Sequence, residues 1–371
     1  MIKRRDFMKA AALSTGALSL PWFGTKASAS EEKRITNYAV IGLGFFSSYV
    51  IPRVQKSKYS RIKALVSSDK EKAQDWCKKY GLKNCQIYSY DTMHELAENS
   101  DIDAVYIATP VGTHAAFALK AFESGKHVLT EKTMAASVLE GETMIKASKA
   151  AGKKLMVAYR ARYEPFNKKA IEFSRQHTYG KVNAIAAHKG FFIGNRLGKN
   201  NWRSSQKLSG GGALTDIGIY SIQACRYIAG AEPIEAFAFS YSTPDDPRFT
   251  DVEENFSFML KFPDGLLATG SASWNYALQN YYKVGATKAS FELNPATSNG
   301  TLRMFINKMK PREIIEKMLR NTDQIAAEFD HFSQCITEDK EPLTNGEEAL
   351  KDLKVIEALY RSAQLNQPVR L

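Results

Sequence analysis

The sequence contains little cysteine, and its four cysteines lack the spacing that would hold zinc or build a disulfide scaffold. No two of them form a CxxC pair, and we expect no metal site. The prediction is four free thiols, mostly buried, at Cys77, Cys85, Cys225 and Cys335. A disulfide between Cys77 and Cys85 is the alternative if the chain reaches an oxidising compartment.

Two further absences narrow the class of protein. No segment after the first thirty residues is apolar enough to span a bilayer. Lysines and arginines are scattered among acids, with no basic block interleaved with aromatic residues. The sequence therefore predicts no membrane contact after processing and no nucleic-acid partner, while an anionic small molecule could still be attracted. A length of 371 residues with 44% hydrophobic residues suits two domains.

The N-terminus has the pattern of an export signal. Arg4 and Arg5 precede the apolar residues 10–23, and Ala27-Ser28-Ala29 supplies small residues before a predicted cut ahead of Ser30. This arrangement is typical of a signal read by the twin-arginine export machinery, so the mature chain is predicted to be periplasmic. An uncleaved membrane anchor is the alternative. Cleavage removes five basic residues and one acidic residue, which lowers the formal charge from +12 to +8.

Strand and helix patterns alternate in the first half of the chain. Apolar runs at residues 38–41, 62–66 and 103–108 are each followed by a helical pattern, which is typical of a doubly wound parallel sheet. After residue 175 the segments become β-rich, and Asp264-Gly265 between two of them indicates a hairpin. We predict an α/β fold, with a Rossmann-type sheet followed by an α+β domain that has a large, mostly antiparallel, open-faced sheet. The predicted segments are a signal at 1–29, an arm at 30–36, a dinucleotide-binding domain at 37–160 and a substrate-binding and oligomerisation domain at 161–371.

Gly42-Leu43-Gly44 joins the first strand to a helix, which is where a dinucleotide pyrophosphate meets backbone amides. Ser47 stands where the fingerprint's third glycine or alanine would be, so an ordinary tight turn is the alternative. The second strand ends in Ser67-Ser68 rather than in the acid that binds an NAD ribose. A 2′-phosphate would meet lysines and a helix N-terminus there, although Asp69 lies close. NADP is predicted in preference to NAD, with contacts from Gly42, Gly44, Phe45, Ser67 and Lys72.

A lysine, an aspartate and a tyrosine are predicted around one pocket. Lys132 follows the strand 127–130, and doubly wound sheets bind ligands at the carboxyl ends of their strands. Asp216 and Tyr220 stand four residues apart in the segment 213–227, whose apolar spacing predicts a helix with both side chains on one face. The alternative is a surface lysine and a buried helix.

Together these motifs resemble the Gfo/Idh/MocA oxidoreductase family over nearly all of the mature chain. The resemblance is carried by Gly42-Leu43-Gly44, by Glu131-Lys132, by Trp202-Arg203 and most specifically by residues 210–220. The wider family usually has a histidine four residues after the aspartate. A tyrosine at that place, here Tyr220, is similar to the glucose-fructose oxidoreductase branch.

The resemblance implies an NAD(P)-dependent oxidoreductase that acts on the CH–OH groups of sugars. Lys132 and Tyr220 would serve the substrate hydroxyl, because a tyrosine beside a cation can accept its proton, and Asp216 would orient the sugar. The implied cofactor contacts in this part of the chain are Thr109, Pro110, His114, Glu131 and Lys132. The implied substrate contacts are Arg160, Trp202, Arg203, Asp216 and Tyr220. For His114, as for His127, no second ligand-like residue lies near in sequence, so a structural role is favoured.

Three features depart from the family pattern. Thr133 stands where relatives carry a proline after the lysine, which removes a rigid residue beside it. Val111 stands where they carry an asparagine, which removes a side-chain amide near the expected nicotinamide. The arm at 30–36 is also short, because seven residues reach at most about 25 Å and cannot wrap a neighbouring subunit.

Export in the folded state bears on the expected reaction. The periplasm has no NADP pool, so we expect a cofactor that is loaded in the cytosol, retained, reduced by one sugar and re-oxidised by another. This is sugar–sugar transhydrogenation. The alternatives are an exported glycoside hydrolase that acts by transient oxidation and elimination, and a non-catalytic sugar-binding protein. The open sheet face predicts a homodimer or homotetramer.

Overall fold

The structure is a computed structural model that describes residues 34–194, 197–198, 201–298, 300–320 and 323–371. The predicted signal and most of the predicted arm lie outside these ranges. Within them, no helix is long and apolar enough to cross a membrane, and no group of three or more His, Cys, Asp or Glu side chains is placed to hold a metal ion. All four cysteines are free thiols.

The first sheet is built from six short strands. They are β1 (Thr36–Ile41), β2 (Ser60–Val66), β3 (Gln86–Tyr88), β4 (Ala104–Ile107), β5 (His127–Thr130) and β6 (Leu155–Val157). Their order is β3-β2-β1-β4-β5-β6 and every pair is parallel. The central strands β1 and β4 are fully buried over Tyr38–Ile41 and Ala104–Ile107 because helices cover both faces of the sheet. The predicted doubly wound parallel sheet is confirmed. Strand β3 was not predicted, because its three residues are too few to give a recognisable pattern.

Nine α-helices are present in the described part of the chain. They are α1 (Phe45–Val54), α2 (Lys70–Lys79), α3 (His114–Glu123), α4 (Val138–Ala150), α5 (Pro165–Arg175), α6 (Gln206–Ser209), α7 (Ile219–Ala229), α8 (Gln324–Thr337) and α9 (Gly346–Leu365). Although α8 lies late in the sequence, it packs on the first sheet, where the Phe329 ring centroid is 5.1 Å from those of Tyr38 and Tyr106. It therefore brings its N-terminal residues close to the carboxyl ends of the parallel strands.

The second sheet has nine strands. They are β7 (Val182–Gly190), β8 (Glu235–Tyr241), β9 (Asn255–Lys261), β10 (Leu267–Ser273), β11 (Gln279–Ala286), β12 (Ala289–Leu293), β13 (Leu302–Lys308), β14 (Glu313–Leu319) and β15 (Val369–Arg370). Their order is β14-β13-β12-β11-β7-β10-β9-β8-β15, and only β7 and β10 pair in parallel. Asp264-Gly265 connects β9 to β10 as an antiparallel hairpin, with Gly265 at a φ of 84°. The mostly antiparallel sheet is as predicted.

The two faces of the second sheet differ in cover. Helices α7 and α9 pack on the inner face, where β8 and β9 present buried residues such as Ala238 and Phe258. The opposite, outer face keeps large apolar side chains exposed: Phe239 is 57% exposed, Met259 45% and Leu267 47%. The alternation of buried and exposed residues along each strand is that of a sheet covered on one side only.

A buried ion pair fixes α7 against α9. The guanidinium of Arg226 on α7 donates to the carboxylate of Asp352 on α9 and to Glu348 at 3.0 Å, and its side chain is only 1% exposed. Gln223 donates a further hydrogen bond of 3.0 Å to Asp352. Because both ions are desolvated, loss of either partner would leave an uncompensated buried charge. The helix that begins beside Tyr220 is thereby held in one position.

Candidate active site

Lys132, Asp216 and Arg203 form one ion cluster at the carboxyl end of β5. The Lys132 Nζ donates to the backbone oxygen of Asp216 and, at 3.2 Å, to its Oδ1. The Arg203 Nε donates to Asp216 Oδ2 at 3.1 Å. The side chains of Lys132 and Asp216 are only 17% and 14% exposed. The Asp216 carboxylate thus joins Lys132, which follows β5, to Arg203, which precedes α6.

Electrostatics keep this cluster ionised. Burial alone would raise the pKa of Asp216, but the charges of Lys132 and Arg203 outweigh it and lower that pKa to about 2. Burial likewise opposes the charge on Lys132, and the opposing attraction of Asp216 leaves the Lys132 pKa raised from its ordinary value. Lys132 is therefore an ammonium at neutral pH, able to donate hydrogen bonds but not to accept a proton.

Tyr220 lies beside the cluster, and its hydroxyl has a different partner. The Arg160 Nε donates to the Tyr220 Oη at 3.2 Å, and the Arg160 Nη1 donates to Gln324 Oε1 at 3.3 Å. The Lys132 Nζ lies 5.8 Å from the centroid of the tyrosine ring. The structure therefore brings together the predicted residues Lys132, Asp216, Tyr220, Arg160 and Arg203.

The segment that carries Asp216 and Tyr220 differs from the predicted helix over 213–227. Residues Leu214–Gly218 form a π-helical turn, and the α-helix begins only at Ile219. The predicted helix is present, but its first turn is π-helical rather than α-helical. Such π-turns are rare and often mark functional sites.

Glu253 was not predicted, yet it fixes the start of this turn. Its carboxylate accepts from the backbone N–H of Gly212 and of Leu214, both at 2.8 Å, and from the Tyr360 hydroxyl at 3.0 Å. A Cβ on Gly212 would collide with the backbone carbonyl of Glu253, so only glycine fits there. An acid that satisfies these N–H groups from a distant segment, here the one just before β9, leaves no local signal in the sequence, which is why it was missed.

Glu131 points away from the open pocket. Its Oε1 accepts from the Tyr106 hydroxyl at 2.8 Å and its Oε2 from the Lys132 backbone N–H at 3.2 Å. This predicted cofactor contact therefore acts on the strand end that presents Lys132. Burial raises the pKa of Glu131 and, more strongly, that of nearby Glu328 on α8. Glu328 is 2% exposed, so burial favours the neutral form of its carboxyl group.

Lys189 is a second residue that the sequence did not signal. It lies on the inner face of β7, its Nζ donates to Thr297 Oγ1 at 2.6 Å, and it approaches the Tyr220 ring centroid to 5.4 Å. Burial, with repulsion from Arg160 and Lys132, lowers the pKa of Lys189 to about 7. The two residues border a cavity of about 30 Å³, room for about one water molecule.

Trp202 and Arg203 are neighbours in space as well as in sequence. The Arg203 Cζ lies 4.2 Å from the Trp202 ring centroid. Both side chains are half-buried. The pair thus presents an aromatic surface beside the ion cluster, as the prediction of substrate contacts requires.

The glycine turn after β1 leaves room for a nucleotide. Gly42 has a φ of 90°, and a Cβ there would lie 2.7 Å from Thr109 Cγ2. The Ser47 hydroxyl donates to the Gly42 carbonyl at 2.6 Å, so it pins the turn in place of a third glycine. Gly44 begins α1 without a side-chain cap or an acid in the first turn, and its neighbour Phe45 is 89% exposed.

The uncapped amides at the start of α1 suit a pyrophosphate, because unpaired N–H groups and the helix dipole both favour an anion. The residues present thus fit a dinucleotide.

At the end of β2, Ser67 is buried and its hydroxyl accepts from the Asp69 N–H at 3.1 Å. Asp69, the acid that argued for NAD, caps α2 instead, because its Oδ1 accepts from the Lys72 N–H at 2.9 Å. The ammonium of Lys72 lies 5.7 Å from the Trp76 ring, on the exposed surface of α2. Ser67 thus lies at the strand end where a ribose is predicted to bind, while the predicted contact from Lys72 would require its side chain to turn away from Trp76.

The loop after β4 contains Thr109 and Pro110, both half-buried at the same edge of the sheet as Gly42. His114 is fully buried, and its ring nitrogens lie 3.0 Å from the Thr133 carbonyl and 2.9 Å from the Thr109 carbonyl. Burial lowers the pKa of His114 to about 4. Its prediction as a cofactor contact is corrected: the imidazole is packed between this loop and the segment after Lys132, where in its neutral form it donates to one of the two carbonyls, and it has no exposed surface.

The peptide bond between Lys132 and Thr133 is cis. Despite the threonine in place of proline, the Lys132 ammonium reaches Asp216.

Comparison with known proteins defines the class of this site. A model of an oxidoreductase family's NAD-binding Rossmann fold matches residues 36–159, and a model of the same family's C-terminal alpha/beta domain matches residues 168–371. The chain belongs to the Gfo/Idh/MocA oxidoreductase family.

Individual relatives are similar over most of their length. The chain is 30% identical over 337 residues to the D-xylose 1-dehydrogenase [NADP(+)] of Haloarcula marismortui, covering 90% of this chain and 92% of that protein. It is 28% identical to D-xylose 1-dehydrogenase (NADP(+)) 2 of Haloferax volcanii, covering 89% of this chain and 97% of that protein. The crystal structure of aldose-aldose oxidoreductase from Caulobacter crescentus, complexed with glycerol, superposes with a TM-score of 0.86 at 37% identity, over 91% of this chain and all of that one.

The ion cluster predicts a pH-dependent contribution of Asp216 to stability. Its folded pKa of about 2 lies below the unfolded value of about 3.9, so the ionised group stabilises the fold by on the order of 2 kcal/mol above pH 4, and this is lost as the pH falls toward 2. We expect the loss of unfolding free energy in Asp216→Asn, measured in urea, to shrink from pH 5 to pH 3.

The matched control is Asp101→Asn at an exposed position. It should change the unfolding free energy by less than about 0.5 kcal/mol at either pH. An Asp216→Asn effect that is equally large at pH 3 and pH 5 would show that the ion pairs are not its cause.

Proposed function

We propose that the protein is a periplasmic, NADP-dependent sugar oxidoreductase that retains its cofactor and transfers hydride from one sugar to another. The observation that carries the proposal is the cluster of Lys132, Asp216 and Tyr220 at the carboxyl end of β5, on the same sheet edge as the glycine turn. The relatives named as NADP-dependent xylose dehydrogenases and as an aldose-aldose oxidoreductase support a sugar as substrate and NADP as cofactor.

Each residue of the cluster has a role in the transfer. Tyr220 takes the proton of the sugar hydroxyl as its carbon gives up a hydride, and returns a proton when the second sugar is reduced. Lys132 donates a hydrogen bond to the reacting oxygen, and Asp216 with Arg203 holds neighbouring hydroxyls. When bound, NADP supplies the hydride acceptor and donor.

The choice of NADP over NAD is supported by the end of β2. Ser67 occupies the position of the acid that binds a ribose in NAD enzymes, and Asp69 is engaged as a helix cap.

Export is proposed from the N-terminal pattern of Arg4, Arg5 and residues 10–23. A cofactor that leaves with the folded protein must stay bound, since no pool replaces it. Mass spectrometry of nucleotide released from protein purified from the periplasm should find NADP, on a chain that begins near Ser30. The variant Arg4→Lys with Arg5→Lys should remain unprocessed in the cytosol. Periplasmic protein without nucleotide would instead favour a sugar-binding role.

The outer face of the second sheet is proposed to pair with a second copy of the chain. Phe239, Met259 and Leu267 lie together on this face, because their strands are neighbours in register. An apolar face of this kind on an open sheet is stable when buried. Light scattering at micromolar concentration should find a dimer or tetramer, and a monodisperse monomer would contradict the proposal.

The catalytic assignment is tested in a single turnover. Protein loaded with NADP is mixed with excess aldose, and the near-ultraviolet absorbance of the reduced nicotinamide is followed. Lys132→Ala and Tyr220→Phe should each slow its appearance about 10²- to 10⁴-fold while sparing NADP binding. The double variant should be little worse than the poorer single variant, because the two residues act as a unit. A second sugar should then re-oxidise the nucleotide.

The matched control is Tyr227→Phe on the same helix, whose hydroxyl is buried and has no hydrogen-bond partner. It should react at the parental rate. If Tyr220→Phe also does, Tyr220 is only a packing residue. Release of sugar from an aryl glycoside without net redox change would favour the hydrolase.

The cofactor assignment is tested at Ser67. Ser67→Asp places a carboxylate against the 2′-phosphate, at a cost of about 1–3 kcal/mol, and should shift the ratio of NADP to NAD affinity toward NAD. Ser67→Ala, which adds no charge, should keep the preference for NADP. An unchanged preference in Ser67→Asp, measured by titration calorimetry, would mean that Ser67 is not at the ribose.

A further inference from the structure

We propose that Arg160 is the positioning residue that holds the Tyr220 hydroxyl ready to accept the substrate proton. The proposal rests on the function proposed above and adds a division of labour among the cations of the site. One cation serves the tyrosine, and the other serves the substrate oxygen and Asp216.

The geometry separates the two cations. The Tyr220 hydroxyl oxygen receives a direct hydrogen bond of 3.2 Å from the Arg160 Nε. The Lys132 Nζ makes two hydrogen bonds to Asp216 instead, through its backbone oxygen and its carboxylate. The Lys132 Nζ lies 5.8 Å from the centroid of the Tyr220 ring and interacts with that side chain through its charge, without a hydrogen bond to the hydroxyl in the described contacts.

The chemistry of a guanidinium suits this role. Arg160 has only donors and keeps its charge at every pH at which the protein is folded. Because its N–H donates to the phenol oxygen, the phenol's own proton must point elsewhere. A charged donor on that oxygen favours the ionised phenolate, which is the form that accepts the hydroxyl proton of the sugar as the sugar carbon loses its hydride. The same proton returns when the carbonyl of the second sugar is reduced.

Arg160 is itself held in place from α8. It begins the 3₁₀ turn Arg160–Tyr163 after β6, and its Nη1 donates to Gln324 Oε1 at 3.3 Å. Gln324 is 3% exposed, and its amide donates to the Ser298 carbonyl. The guanidinium is therefore held by its own turn and by Gln324 on α8, and Gln324 is held in turn by the segment of Ser298.

The other charged or titratable groups near Tyr220 do not take over this role of Arg160. They come from β4, the segment after β5, β7, the π-turn, the segment before α6, and α8: Tyr106, Glu131, Lys132, Lys189, Asp216, Arg203 and Glu328. Lys132 and Arg203 are paired with Asp216, and Glu131 with Tyr106. Lys189 has a pKa of about 7, so it loses its charge as the pH rises toward the range in which a phenol ionises. Arg160 keeps its own charge throughout that range.

The test is the pH dependence of single-turnover hydride transfer, from pH 6 to pH 10. Arg160→Gln removes the cation from the phenol oxygen, so a higher pH is needed to form the phenolate. We expect the pH of half-maximal rate to rise by about 1–2 units and the rate at pH 7 to fall about 10- to 100-fold. Arg160→Lys should restore part of the rate, and Gln324→Leu, which only loosens Arg160, should cause a smaller rise.

Two comparisons separate this role from a structural one. Arg162→Gln removes a matched arginine, whose Cζ lies 3.8 Å from the ring centroid of Tyr227 outside the cluster, and should leave the pH of half-maximal rate unchanged. Arg160→Gln added to Tyr220→Phe should cause little further loss of rate, since the arginine acts through that hydroxyl. NADP affinity and thermal unfolding identify any variant that fails to fold.

The outcomes also separate this proposal from the function itself. If no sugar reduces the nucleotide in the parent protein, the proposed function fails, and the phenolate absorbance of the parent minus that of Tyr220→Phe still reports whether Arg160→Gln raises the pH at which Tyr220 ionises. The proposal is overturned if Arg160→Gln titrates like the parent. It is equally overturned if Lys132→Ala, and not Arg160→Gln, produces the rise.

Discussion

The carboxylate of Asp216 is the interaction on which the rest of the site depends. It accepts from Lys132, which follows β5 of the first sheet, and from Arg203, which precedes α6, so one side chain joins two parts of the fold. At 14% exposure it has lost most of its hydration, and two cations compensate. The two cations are what keep a buried Asp216 ionised, and in the proposed reaction their positions would set where a substrate oxygen lies. The chemistry and the relative placement of these segments share one cause.

Asp216 can hold this position because its backbone is constrained from the second sheet. Glu253 satisfies the N–H groups of Gly212 and Leu214 before the π-turn begins, and the absence of a side chain at Gly212 permits that approach. Arg226 then anchors the following helix to α9 through Asp352. The reacting tyrosine stands between two buried polar contacts, one before it and one after it.

Short sequence patterns predicted the features that depend only on neighbouring residues, such as strands and turns. The apolar run of β5 located Lys132, the glycine turn located the nucleotide edge, and Asp264-Gly265 located a hairpin. What the sequence could not supply were partners far apart along the chain: Arg160 and Tyr220 are sixty residues apart, and Glu253 caps a turn forty residues before it. His114 shows the same limit, because its burial against two carbonyls depends on how the loop of Thr109 folds back. The π-turn was missed because its apolar spacing resembles that of an α-helix.

The central strand β7 has a consequence for communication between sites. Lys189 points inward, 5.4 Å from the Tyr220 ring centroid, while its neighbour His188 points outward and bonds Ser271 at 2.8 Å. A single thickness of polypeptide thus separates Tyr220 from the face proposed to meet a second copy. Any coupling of binding across such a wall is reciprocal. By whatever factor sugar binding changes the strength of subunit association, subunit association changes the affinity for the sugar.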